Sequence, residues 1–74
     1  MNIANRIEEL RKQKGINKLQ LSKIIKYSHT MIGYWETGRS QPTAEAIIVL
    51  ADFFDVSADY LLGRVDEAGK PIEH

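Results

Sequence analysis

The chain has 74 residues, ten Lys+Arg, ten Asp+Glu and no Cys, with a net charge of zero. One domain is all that this length accommodates, and barrels or doubly wound sheets do not fit. Disulfides and Cys-based zinc sites are excluded, a disordered chain is excluded by the 43% hydrophobic fraction, and an indiscriminate polycation is excluded by the charge balance.

The first segment places Ile3, Ile7 and Leu10 at i, i+4 and i+7, with Arg6, Glu8, Glu9, Arg11 and Lys12 around them. That spacing predicts an amphipathic helix of about three turns ending near Gly15. Asn17 with Gln20 three residues on has the spacing of a capping box, so a second helix starts there, with Leu21, Ile24 and Ile25 as its apolar stripe and an end near Lys26. Ser28 caps a third helix from His29 to Thr37, which Gly38 stops. Thr43 caps a fourth, with Ala44, Ile47, Ile48, Leu50, Ala51 and Phe54 as its stripe. Ser57 caps a fifth, Ala58 to Leu62, closed by Gly63. No segment alternates with period two, so the expected fold class is all-α, a compact bundle of five short helices. Residues 1–63 form the domain, and residues 64–74 read as a surface tail.

No apolar run is long enough to cross a membrane, and residues 1–6 lack the basic-then-apolar pattern of a signal peptide, so a cytoplasmic protein with no membrane partner is expected. The only histidines are His29 and His74, no phosphate loop or metal-ligand spacing occurs, and Ser28 beside His29 is no catalytic pair. No catalytic residue, metal or cofactor is expected.

Only Lys26-Tyr27-Ser28 separates the second helix from the third. So tight a turn makes the pair cross steeply, at about 90–120°, as in a helix-turn-helix, whose second helix presents its N-terminal side chains outward. The run from Asn17 to Pro42 resembles the Cro/CI-type (xenobiotic-response-element) helix-turn-helix family, lambda-repressor-like in fold. The most specific pieces are Ile32-x-x-Trp35-Glu36-x-Gly38-x-x-x-Pro42 and Val56-Ser57-x-Asp59-x-Leu61-Leu62. The likeness covers about residues 3 to 63. It implies a sequence-specific regulator of transcription, most simply a repressor acting as a dimer on a palindromic operator in double-stranded DNA. The second use of such a scaffold is as a protein-interaction module, bound to an antirepressor or a toxin.

The resemblance also assigns roles. His29, Thr30, Gly33 and Tyr34 match positions used for base contact, and Asn17, Lys18, Thr37, Arg39 and Ser40 positions near phosphates. Gly33 either lets the third helix approach the DNA closely or is a neutral substitution. Ile32 and Trp35 read as core, with base stacking as the alternative for Trp35, and Met31 as partly buried. Glu36 matches a carboxylate that the family pairs with an arginine at the position of Arg11; the alternative is an exposed Glu36. Three departures concern the helix pair. Lys18 stands for the usual Gln and would bind phosphate with little sequence discrimination. Ser22 stands for a small Ala and can bond back to a helix carbonyl. Lys26 stands for the turn glycine and must take positive φ.

Ile48, Val49, Phe53 and Tyr60 widen the apolar surface of the last two helices and suggest a homodimer face; Phe53 folded over the core is the alternative. The neutral total conceals a division. Residues 1–40 carry eight basic and three acidic side chains, a net +5, and residues 41–74 two basic and seven acidic, a net −5. A dipolar chain of this kind approaches a polyanion with its basic half first.

Overall fold

The structure, a computed structural model, describes residues 3–66 and 68–71. It contains five helices: α1 (Ile3–Gln13), α2 (Lys18–Ile25), α3 (His29–Thr37), α4 (Ala44–Phe54) and α5 (Ala58–Leu61). Each helix start after the first is built by the residue expected to cap it. Asn17 Oδ1 accepts from the Gln20 N–H at 2.7 Å, and Gln20 Oε1 accepts from the Asn17 N–H at 2.8 Å, completing the capping box. The hydroxyl oxygens of Ser28, Thr43 and Ser57 accept from the N–H groups of Met31, Ala46 and Tyr60. These bonds satisfy donors that a helix start leaves without internal partners.

The helices close on one core. Ile3, Ile7 and Leu10 of α1 meet Leu21 and Ile25 of α2, Ile32 and Trp35 of α3, Ala46, Leu50, Ala51 and Phe54 of α4, and Leu61 of α5. The apolar positions differ from expectation at Ile24, at Ile48, at Ala44 with Ala46, and at Met31. Ile24 is 48% exposed and Ile48 58%, each on the side of its helix that the core does not cover. Ala46 takes a core place on α4, and Ala44 lies in solvent in the first turn. Met31 is exposed rather than partly buried, its sulfur accepting weakly from the Ser40 hydroxyl.

The α2–α3 turn follows from Lys26, whose φ of 63° is left-handed. Its N–H donates to the Ser22 carbonyl at 2.8 Å, ending α2 within one residue. Ser22 is buried at the crossing and its hydroxyl donates to the Leu19 carbonyl at 2.6 Å, so the close approach survives without a free polar atom. The rings of Tyr27 and Trp35 meet in an edge-type contact, with centroids 5.2 Å apart. Trp35 itself is 2% exposed, which makes it core and removes the stacking alternative.

Arg6, read as part of the polar face of α1, is buried. Its Nη1 donates to the carbonyls of Tyr60 at 2.8 Å and Val65 at 2.9 Å, and the guanidinium lies 4.0 Å from the centre of the Tyr60 ring. The side chain therefore fastens α1 to the end of α5 and to the segment beyond it. That segment stays on the surface but is folded. Val65 and Pro71 form an antiparallel bridge, and Asp66 Oδ1 accepts from the N–H groups of Ala68 and Lys70. Residues 67 and 72–74 of the expected tail lie outside the described residues. No helix among the described residues is long and apolar enough to cross a membrane.

Candidate nucleic-acid interface

The position of α3 is held from behind by one ion pair. Arg11 Nε donates to Glu36 Oε2 at 2.7 Å and Nη2 to Glu36 Oε1 at 3.0 Å, while Nη1 donates to the Ile16 carbonyl at 2.9 Å. Both side chains are nearly enclosed, 11% and 1% exposed, so the alternative of a solvated Glu36 is overturned. A planar guanidinium bound at two points by a carboxylate fixes direction as well as distance. The pair also raises the affinity of Arg11 for its proton, chiefly through the hydrogen bond to Glu36. This cross-tie sets the angle at which α3 leaves the core.

With Ile32, Trp35 and Glu36 turned inward, the opposite face of α3 is open. His29, Thr30, Gly33, Tyr34 and Thr37 line one shallow depression of about 400 Å³, together with Lys18 from α2 and Arg39 from the following loop. The four residues expected at bases are thus brought together, and three of the five expected at phosphates, Lys18, Thr37 and Arg39, line the same depression. The imidazole of His29 and the hydroxyls of Thr30 and Tyr34 carry no hydrogen bond among the described residues. The Arg39 guanidinium stands 4.7 Å from the centre of the Tyr34 ring, which steadies both side chains.

The groups expected at phosphates divide. Asn17 and Lys18 are exposed, and the N–H groups of Lys18 and Leu19 in the first turn of α2 fall outside its internal ladder, a setting that favours an anion. Around Gly38, whose φ of 77° ends α3, the backbone is already committed. The Gly38 N–H donates to Trp35 and those of Arg39 and Ser40 to Tyr34. The Thr37 hydroxyl donates to the Gly33 carbonyl at 3.0 Å. In this loop the Arg39 guanidinium is exposed, and the half-buried Ser40 hydroxyl leans weakly on the Met31 sulfur at 3.9 Å.

Lys18 is placed as sequence reasoning did not foresee. Its ammonium lies 3.9 Å from where a Cβ on Gly33 would stand, over the second turn of α3. The signal was present in the pairing of a glycine inside one helix with a long cation at the start of the helix crossing it, but only coordinates show that the two meet.

A short helix fixed against a second by a three-residue turn, with its outer face open and flanked by cations, defines a helix-turn-helix domain. The chain belongs to the helix-turn-helix family, whose profile matches residues 7–61, as the resemblance to the Cro/CI type implied. It is 36% identical over 64 residues to the HTH-type transcriptional regulator AnsR of Bacillus subtilis, covering 86% of this chain and 54% of that one. It is 31% identical over 72 residues to the HTH-type transcriptional regulator DicA of Escherichia coli, covering 96% of this chain and 53% of DicA. The chain thus spans about half the length of these curated relatives. Among solved structures it is similar to the P22 c2 repressor in complex with a synthetic operator, with a TM-score of 0.80 and 31% identity over 84% of this chain and 94% of that one.

Proposed function

We propose that the chain is a sequence-specific reader of double-stranded DNA that regulates transcription, most simply as a repressor. The observation that carries this reading is the depression on α3, where His29, Thr30, Gly33 and Tyr34 stand together and open between Lys18 and Arg39. An α-helix fits the major groove, where each base pair presents its own pattern of donors and acceptors. Thr30 offers a hydroxyl and a methyl, Tyr34 a hydroxyl on a rigid ring, and His29 a ring nitrogen at the helix start. Asn17, the first N–H groups of α2, Arg39 and Ser40 hold the flanking phosphates. The Thr37 hydroxyl, bound to its own helix, serves by closing the last turn of α3 rather than by donating outward. The family's relatives and the repressor–operator structure support the assignment, and a reader of operators acts in the cytoplasm of a bacterial cell.

The same proposal includes a homodimer on a two-fold operator, with reading helices about 34 Å apart. Ile48 and Val49 on the outer face of α4 supply free apolar surface for it, 58% and 36% exposed. Phe53 and Tyr60 are half-buried, with the cations of Lys14 and Arg6 over their rings, and would border the contact rather than centre it. A parent chain that sediments as a monomer at micromolar concentration, with Ile48→Ser unchanged from it, contradicts this part.

Measuring affinity for a duplex selected from a random pool, and for an unrelated duplex, across a range of salt tests the reading. A DNA reader prefers the selected duplex by several orders of magnitude and shows a steep fall of log K with log salt. A scaffold whose work is to dock an antirepressor or a toxin binds both duplexes weakly and alike.

A further inference from the structure

Lys18 stands at the start of α2, where a cation is expected to meet the DNA backbone. Its ammonium instead lies over α3, 3.9 Å from the missing Cβ of Gly33. It lines the same depression as His29, Thr30 and Tyr34, and it makes no salt bridge among the described residues. Glycine is a poor residue for the middle of a helix. Here it leaves a gap in the row of side chains on the reading face, and a cation from the neighbouring helix fills the gap.

We propose that Lys18 is a base-reading residue, that Gly33 is the window through which it reads, and that the base it selects is guanine. The inference rests on the reading of α3 as the major-groove helix. An ammonium only donates, so it favours the base edge with acceptors and no donor. In the major groove guanine shows two adjacent acceptors, N7 and O6. Adenine pairs its N7 with an amino donor, cytosine shows an amino donor, and thymine shows one oxygen beside a methyl. A lysine held at the side of the helix, in no salt bridge among the described residues, reaches the guanine edge without a side chain at position 33 standing between.

The test is to select duplexes from a random pool with the parent chain and with Lys18→Met, an exposed substitution that leaves the core alone. The parent motif should contain one guanine per bound chain that becomes degenerate in the variant, with the other positions unchanged. Placing 7-deazaguanine there removes the N7 acceptor. It should weaken the parent about tenfold and leave Lys18→Met unaffected. If Lys18→Met selects the parent motif with every affinity lowered in proportion, and the salt slope falls by about one, the residue is a phosphate contact and the proposal is overturned. A motif that relaxes at a base other than guanine overturns the choice of base. A parent chain that selects no motif overturns the DNA-reading function itself, and this inference with it.

Discussion

On the outer face of α2 and α3 four polar groups stay uncommitted; at the other end of the molecule several are spent on the fold. The ammonium of Lys18, the imidazole of His29 and the hydroxyls of Thr30 and Tyr34 have no hydrogen bond among the described residues. In the other half Thr43 and Ser57 cap helices, Asp66 organises its own turn, and Arg6 reaches from α1 to bind two carbonyls at the end of α5. Two arginines of α1 make the contrast concrete. Arg11 grips a carboxylate on the back of α3 and so positions the open face, whereas Arg6 grips backbone and closes the opposite end. Free polar groups are useful for recognition only when the helix that carries them cannot drift, and Arg11–Glu36 supplies that constraint from behind.

Removing the constraint should have the largest effect. Glu36→Ala leaves a nearly enclosed guanidinium without its counter-charge, at a cost of about 3 kcal/mol, most of what a domain this small has in reserve. Urea unfolding should show it, and replacing both partners, Arg11→Met with Glu36→Leu, should restore much of the loss. Arg6→Met should cost less, about 1–2 kcal/mol, because it removes a buried charge along with its bonds and Arg6 Nε is itself without a partner. Hydrogen exchange at Val65 and Asp66 should quicken while affinity for a selected duplex holds; a loss of DNA binding equal to that of Glu36→Ala would erase the distinction between the two ends.

Two smaller effects sharpen it. Lys26 and Asp55 both sit in left-handed backbone, at φ of 63° and 56°. Lysine is strained there and aspartate is better tolerated. Lys26→Gly should therefore stabilise by about 0.5–1 kcal/mol in thermal unfolding, and Asp55→Gly by less. The smallest effect lies on the exposed side of α1, where the hydrogen bond from Lys12, then its charge, holds the Glu8 carboxyl below its usual value of 4.5. A carboxyl whose pKa is lower in the folded state stabilises above its unfolded pKa, and that contribution disappears as pH falls through the folded one. Glu8→Gln should cost a few tenths of a kcal/mol at neutral pH and nothing in strong acid.

The capping residues made the fold legible before any coordinates. Asn17, Ser28, Thr43 and Ser57 each begin a helix by local bonding to a backbone N–H three residues on, a relation that spacing alone reveals. The Arg11–Glu36 pair was legible through family resemblance, which supplied the partner that spacing could not. Ile24 and Ile48 were read into apolar stripes because helical periodicity gives the direction of a stripe but not how much of it a neighbour covers, and Met31 is exposed where partial burial was expected. Arg6 was misread because its partners are carbonyls, which leave no mark in a sequence. Lys18 over Gly33 was hidden for a related reason, since it depends on where two helices cross.

The reading function itself is tested most directly by Thr30→Ala and Tyr34→Ala, measured side by side against a selected and an unrelated duplex. Neither residue is in the buried core. Each substitution should weaken binding to the selected duplex about tenfold while affinity for the unrelated one holds. If both affinities fall by the same factor, the open face of α3 is not where this protein reads DNA.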